Sequence, residues 1–428
     1  MGGFQGKEKA GDDIGEELRI LCDASSPLQK RRLAFHHLNL HFSPVIRGEA
    51  RYASELCRVF SLRYPEWAPA PAKWPETCRG RLADRVRGCL YGAALGDAAG
   101  LATEFLSSEA VAAHYGEGFA FQPGSEVYPD SHRMGFPAGD WTDDTDQLLI
   151  ILQSLLESGG HADVLNFGLK LSQWKEEGFA GLADQGGCGL GQHMKAVLQH
   201  SDFPTDPTRA AREVWEKRGR QMASNGAIMR TAVTGIPHFW DLDTVRANTL
   251  AFCNATHADP RCAASCLVVA GCVARLLQVE ASSGVDASFA DDVESVLAAA
   301  LSAAEGELEI QEQRADLRRH TLAASLEGLK LDEPRSVGYT FKCLGSGAWA
   351  LRFGSAIGFE AAIREVIAQG GDADTNGAVA GALLGCHLGY ARLPRHWMSG
   401  MPYVEWLEAW VQKLLHMLQL PIKANSEH

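Results

Sequence analysis

Apolar residues recur along most of this chain at the three- and four-residue intervals of a helix face turned to a core, and alternating runs of strand length are scarce. From Asp144 onward, Leu148, Ile151, Leu152 and Leu155 fall on one face. After Pro260, a favoured first helical residue, Val268, Val269, Cys272, Val273, Leu276 and Leu277 repeat the pattern. Residues 404–420 are amphipathic and rich in aromatics. The pattern predicts an all-α protein with no solenoid repeat.

One boundary interrupts the helices. Residues 65–75 hold four prolines in eleven positions, a density that stops helices and strands alike. Before it, Leu18, Leu21 and Cys22, then Leu33, Leu38 and Leu40, keep helical spacing. The reading is therefore a helical N-terminal extension with a Pro-rich linker over 1–75, followed by one large domain over 76–428. Within that domain, the Ala/Glu/Ser-rich stretch 281–304 reads as a surface excursion, although Val293, Val296, Leu297 and Leu301 retain a helical stripe. Gly377, Gly381 and Gly385, four residues apart, predict close helix–helix packing.

Composition narrows the class. The chain has 428 residues, 46% of them hydrophobic and 22% charged, which suits a globular protein. A net charge of −13 argues against general nucleic-acid binding, which needs a basic face. It leaves room for an anionic substrate held through metal ions that supply the positive charge. Eleven cysteines without a CxxC pair read as free thiols, in an intracellular protein of the cytoplasm or nucleus. No apolar signal core opens the chain, and no uninterrupted apolar run is long enough for a bilayer; residues 377–389 come nearest.

Candidate chemistry concentrates where carboxylates and hydroxyls adjoin small residues just ahead of apolar helices. Gly96-Asp97 with Glu104 downstream is the first such place, and Trp141-Thr142-Asp143-Asp144-Thr145 the second. Ser224-Asn225-Gly226 with Arg230 follows, then Thr256-His257, and finally Gly370-Gly371-Asp372-Ala373-Asp374-Thr375. Acids at a helix start are stabilised by the dipole, so plain capping explains either acidic motif alone. Two such motifs in one domain supply the all-oxygen ligand set that hard divalent cations take, enough for two Mg²⁺ in a hydrolytic site. Glycines in 186–191 let backbone N–H groups approach a phosphate.

Taken in order over residues 81–393, these motifs resemble the ADP-ribosylglycohydrolase family, of the dinitrogenase-reductase-activating type. The resemblance implies a single large orthogonal helical bundle with a central di-magnesium cleft. It implies two Mg²⁺, with Mn²⁺ as the alternative, on Thr142, Asp143, Asp144, Asp372, Asp374 and Thr375. Glu104 and Asp143 are the expected catalytic carboxylates, and Asp374 the bridging ligand. Gly189, Gly191, Ser224, Asn225, Gly226 and His257 would line the bound ADP-ribose, while Arg230 would buttress an acid. Residues 338–347 stand where the family has a substrate-side loop, and Tyr339 or Phe341 there is a candidate for stacking on adenine. The expected partner is ADP-ribose or an ADP-ribosylated protein, and no membrane. A binding module without turnover and a metal-dependent phosphoesterase are the alternatives.

Overall fold

The computed structural model describes residues 50–64, 74, 76–116, 127–182, 184, 186–282 and 293–422. The helical spacings before residue 50 lie outside the described residues, as do all of the 65–75 linker but Trp74 and the middle of the 281–304 stretch. Sixteen α-helices follow one another, and no strand is found among the described residues. They are α1 (Ala50–Ser61), α2 (Glu76–Gly100), α3 (Ser108–Tyr115), α4 (Asp143–Glu157), α5 (Val164–Glu177), α6 (Gln192–Leu198), α7 (Pro207–Lys217) and α8 (Leu242–Asn254). The second half holds α9 (Pro260–Ser282), α10 (Val293–Ala304), α11 (Gln311–Thr321), α12 (Thr340–Ile357), α13 (Phe359–Ile367), α14 (Ala373–Leu388), α15 (Arg395–Met398) and α16 (Val404–Met417).

Local chemistry sets several of these starts. Asp163, Asp206 and Asp241 each accept a backbone N–H of the first turn they precede, and Pro207 supplies a preset φ after its cap. The α10 stripe is buried at Val296, Leu297 and Leu301, so this part of the expected excursion packs into the protein.

At the centre lies α14, buried from Ala373 to Cys386, as an all-round apolar helix must be. Its partner is α2, and the seam between them is made of glycine. A methyl at Gly92 would stand 2.1 Å from the Gly381 carbonyl oxygen, and one at Gly96 1.9 Å from that of Gly377. Gly88 and Gly385 oppose each other in the same way. The predicted close approach of the 377–385 glycines is thus met by a matching row on α2. Without side chains between them, the two backbones run in contact.

Among the described helices, α9 is long and apolar enough over Pro260–Ala281 to pass for a membrane span by composition, more so than 377–389. However, 83% of that apolar window is buried, with α8 and α10 packed against it. It is a core helix. The described cysteines are all free. Helix α1 joins the same core through Tyr52, Leu56, Val59 and Phe60, and the Lys413 ammonium of α16 donates to the Phe60 carbonyl at 2.8 Å.

Candidate active site

Three helix ends converge at one end of the glycine seam. The last turn of α2 brings Asp97. Thr142 caps α4, and Asp372 precedes α14. Gly100 abuts the start of α14 so closely that a methyl there would meet the Ala373 carbonyl at 2.2 Å. The seam therefore fixes the end of α2 against the DADT motif.

Asp97 is fully buried and organises the start of α4. Its carboxylate accepts the Thr142 hydroxyl at 2.8 Å, the Thr145 hydroxyl at 2.6 Å and the Thr145 N–H at 2.9 Å. Burial raises its pKa to about 6 against those bonds, which pull it down.

The carboxylates then form two sets sharing one member. Oxygens of Asp97, Asp144 and Asp374 lie within 4.8 Å of one another, as do those of Glu104, Asp372 and Asp374. The Thr142 hydroxyl lies 2.8 Å from Asp97, 3.2 Å from Asp144 and 3.4 Å from Asp374, so one proton faces three carboxylates. Asp144 Oδ1 is buried with no hydrogen-bond partner. Thr375 hydrogen-bonds the Asp144 side chain, and the Asp374 carboxylate accepts the Thr375 N–H at 2.8 Å. Burial, with mutual repulsion behind it, pushes Asp144 and Asp374 well above the ordinary carboxylate range. An orphaned oxygen and crowded acids are what a hard cation relieves, and an all-oxygen donor set suits Mg²⁺. The residues fit the metal.

Asp143 differs from expectation. Its carboxylate belongs to neither set. It accepts Gln147 Nε2 at 2.6 Å and presses against Gly189, where a methyl would stand 2.1 Å from Oδ1. Gln147 in turn accepts Arg230, whose other nitrogen donates to the Thr256 hydroxyl at 2.5 Å. Arg230 thus buttresses an acid through Gln147 rather than directly. Its guanidinium is fully buried over the Phe167 ring, and burial lowers its pKa to about 10.

Glu104, in the turn after α2, is buried, and burial raises its pKa. His132 hydrogen-bonds its carboxylate, and the Arg133 guanidinium holds its carbonyl. Opposite, the Asn225 amide donates to Asp372 at 2.9 Å, and its N–H donates to the Gly338 carbonyl at 3.0 Å. Gly226 covers His257, whose Nε2 lies 3.1 Å from the Ser224 hydroxyl and whose Nδ1 lies 2.8 Å from that of Thr256. His257 is 1% exposed, and burial holds its pKa well below the usual value. It stands behind the 224–226 turn as a neutral support.

Gly189, at φ 88°, and Gly191, ahead of α6, are exposed. The expected loop over 338–347 is mostly helix. Helix α12 begins at Thr340, and Phe341 is a fully buried core ring. Tyr339 is half-buried, its hydroxyl donating to Asp316 at 2.8 Å and its ring set against Arg261 and His320.

Gln147 and His132 stand outside the motifs singled out in the sequence, and Asp97 stands in the first of them without a ligand role. For Gln147 a signal existed, one turn after Asp143 on the same helix face. For the ligand role of Asp97 the signal was the Gly88–Gly92–Gly96–Gly100 spacing, which answers the glycines of α14 and carries the end of α2 to the acids there. His132, 28 residues from its partner Glu104, left no local trace.

Comparison with known proteins gives a consistent picture. Residues 79–423 match the family described as ADP-ribosylglycohydrolase. The chain is 26% identical to an uncharacterized protein of Archaeoglobus fulgidus over 78% of this chain and 98% of that one. It is 27% identical to an ADP-ribosylarginine hydrolase of Serratia proteamaculans, covering 82% and 84% respectively. For the ADP-ribosyl-[dinitrogen reductase] glycohydrolase of Rhodospirillum rubrum the identity is 24%, over 74% and 90%. In fold it is similar to a solved ADP-ribosylglycohydrolase-related protein complex (TM-score 0.53, 24% identity, 79% of this chain and 99% of that one).

Proposed function

Since the chain belongs to the ADP-ribosylglycohydrolase family, we propose that it hydrolyses the glycosidic bond joining ADP-ribose to an arginine side chain, with two Mg²⁺ bound at the junction of α2, α4 and α14. The observation that carries this reading is the pair of carboxylate sets meeting at Asp374, with Asp144 Oδ1 left unpartnered. Asp97, Thr142, Asp144, Asp372, Asp374 and Thr375 would hold the ions, and Asp374 would serve both. The metal, when bound, neutralises the cluster and polarises substrate oxygens.

The protein's own residues do the rest. Glu104 is the acid–base group: burial keeps its proton affinity high, His132 fixes one of its oxygens, and it borders the Asp372–Asp374 pair. Asp143 is held in one orientation by Gln147 and faces the Gly189 backbone, where it accepts a ribose hydroxyl. Exposed Gly189 and Gly191 leave their N–H groups open to the diphosphate. Asn225, tied to Asp372 and Gly338, fixes the opposite wall, and His257 supports Ser224 from behind.

The test is product analysis with peptides carrying ADP-ribose on arginine or on serine, and with small ADP-ribosyl compounds, with and without chelator. Free ADP-ribose from the arginine peptide, lost on chelation, is the expected result. AMP as product would make the protein a phosphoesterase. Binding of ADP-ribose without any product would make it a binding module.

A further inference from the structure

Directly after Glu104 the backbone turns through a left-handed conformation at Phe105, φ 59°. A bulky residue there is a rare and strained choice, since glycine or asparagine adopts it at less cost. The ring gains no burial in exchange, because Phe105 is 61% exposed, among the most exposed large apolar side chains described. Nor is the segment loose. The Phe105 N–H donates to the Gly371 carbonyl at 2.6 Å, and the Gly371 N–H to the Leu106 carbonyl at 2.9 Å. These bonds lock the turn to the residue before Asp372, so that Glu104 points inward while its neighbour points out.

Outside, the ring meets other aromatics. Its centroid is 5.2 Å from the His132 imidazole, which holds the Glu104 carboxylate, and the Phe136 ring packs edge-on to His132 at 5.7 Å. An aromatic rim thus stands immediately outboard of the acid–base group.

We infer that Phe105, backed by His132, is the surface on which the acceptor side chain lies, and that it determines which acceptor is released. The inference rests on the reaction proposed above. With the ribose drawn to the carboxylate sets, whatever is bonded to its anomeric carbon leaves past Glu104 toward solvent, along this rim. A planar guanidinium gains from an aromatic face; a serine hydroxyl has nothing to stack. The strain at Phe105 is then retained for recognition, at a position where stability alone favours glycine.

The experiment compares Phe105→Gly, Phe105→Asn and Phe105→Tyr. Glycine and asparagine accept the φ without the ring, and tyrosine keeps the ring. All three should fold, with Tm unchanged or higher for glycine and asparagine. On an ADP-ribosylarginine peptide, KM should rise on the order of 10-fold for Phe105→Gly and Phe105→Asn and stay near wild type for Phe105→Tyr, with kcat within about 2-fold throughout. Calorimetric affinity for free ADP-ribose should not change. An unaltered KM in Phe105→Gly, or an equal loss in Phe105→Tyr, would overturn the inference. So would a matching loss of ADP-ribose affinity, which would move the ring to the nucleotide side. If the wild type releases no ADP-ribose from any substrate, it is the proposed reaction that fails.

Discussion

The α2–α14 seam and the rim around Glu104 are built in opposite ways. Along the seam, glycines let two backbones touch, and the distance between Asp97 and Asp374 is set by main chain alone. At the rim, Phe105, His132 and Phe136 meet through side chains, partly in solvent, on a segment tied down by a few backbone bonds. The seam has no rotamers to adjust, so it fixes how closely the two helices bring their acids together; the rim can change residue by residue. On the proposed reading, the acids that would hold the ions sit on the part of the fold that tolerates no substitution, and acceptor selectivity on the part that does.

The sharpest way to break this contrast is at the seam. Gly381→Val would place a methyl 1.9 Å from the Gly92 carbonyl oxygen, and neither helix can retreat without moving Asp97 from Asp374. A loss of at least about 3 kcal/mol is expected, seen as a collapse in soluble yield or Tm. Met134→Ser, at an 80% exposed rim position, should leave both unchanged. Next comes the acid shared by the two sets. Asp374→Asn should lower turnover by more than about 100-fold while the protein stays folded, because the amide keeps the shape of the carboxyl and brings no buried charge. Smaller again is Gln147→Met, which keeps the volume but releases Asp143 and leaves Arg230 a partner short; roughly 10-fold in kcat/KM is expected, with weaker ADP-ribose binding by calorimetry.

The smallest effect is one of pH. Asp97 titrates at about 6 in the folded protein against an ordinary 3.8, because it is buried. Burial pushes Asp140, Asp143, Asp144, Asp146 and Asp374 in the same direction. Between the unfolded and folded values the native state holds protons that the unfolded chain has lost, so stability falls as pH rises through that window. Through these acids metal-free protein should melt higher at about pH 5.5 than at about pH 7.5, against the opposite pull of His257, His193, His238 and His320, which burial keeps neutral, and saturating Mg²⁺ should narrow the acids' share. Scanning calorimetry at the two pH values, with and without Mg²⁺, checks this.

Much of the seam was readable in advance, because glycine spacing and helical periodicity are local signals. Helices α4, α9 and α16 follow their apolar stripes, and 377–385 announces its own close packing. Most of the acids brought together at the junction stood in motifs that sequence alone singles out. What local pattern could not carry was pairing across the chain. Asp97 reaches Thr145 over 48 positions, and Arg230 reaches Gln147 over 83. The resemblance implies a loop over 338–347, yet Gly345 and Gly347 lie inside α12, where a methyl would strike Leu329 and Val379.

The central claim, that the carboxylates gathered at the end of the seam are a divalent-metal site, is tested most directly by titrating Mg²⁺ into metal-free wild type and Asp374→Asn in a calorimeter. The account predicts saturable binding of two ions per chain in the wild type and its loss in the variant. Superimposable isotherms, or no heat from either protein, would contradict it.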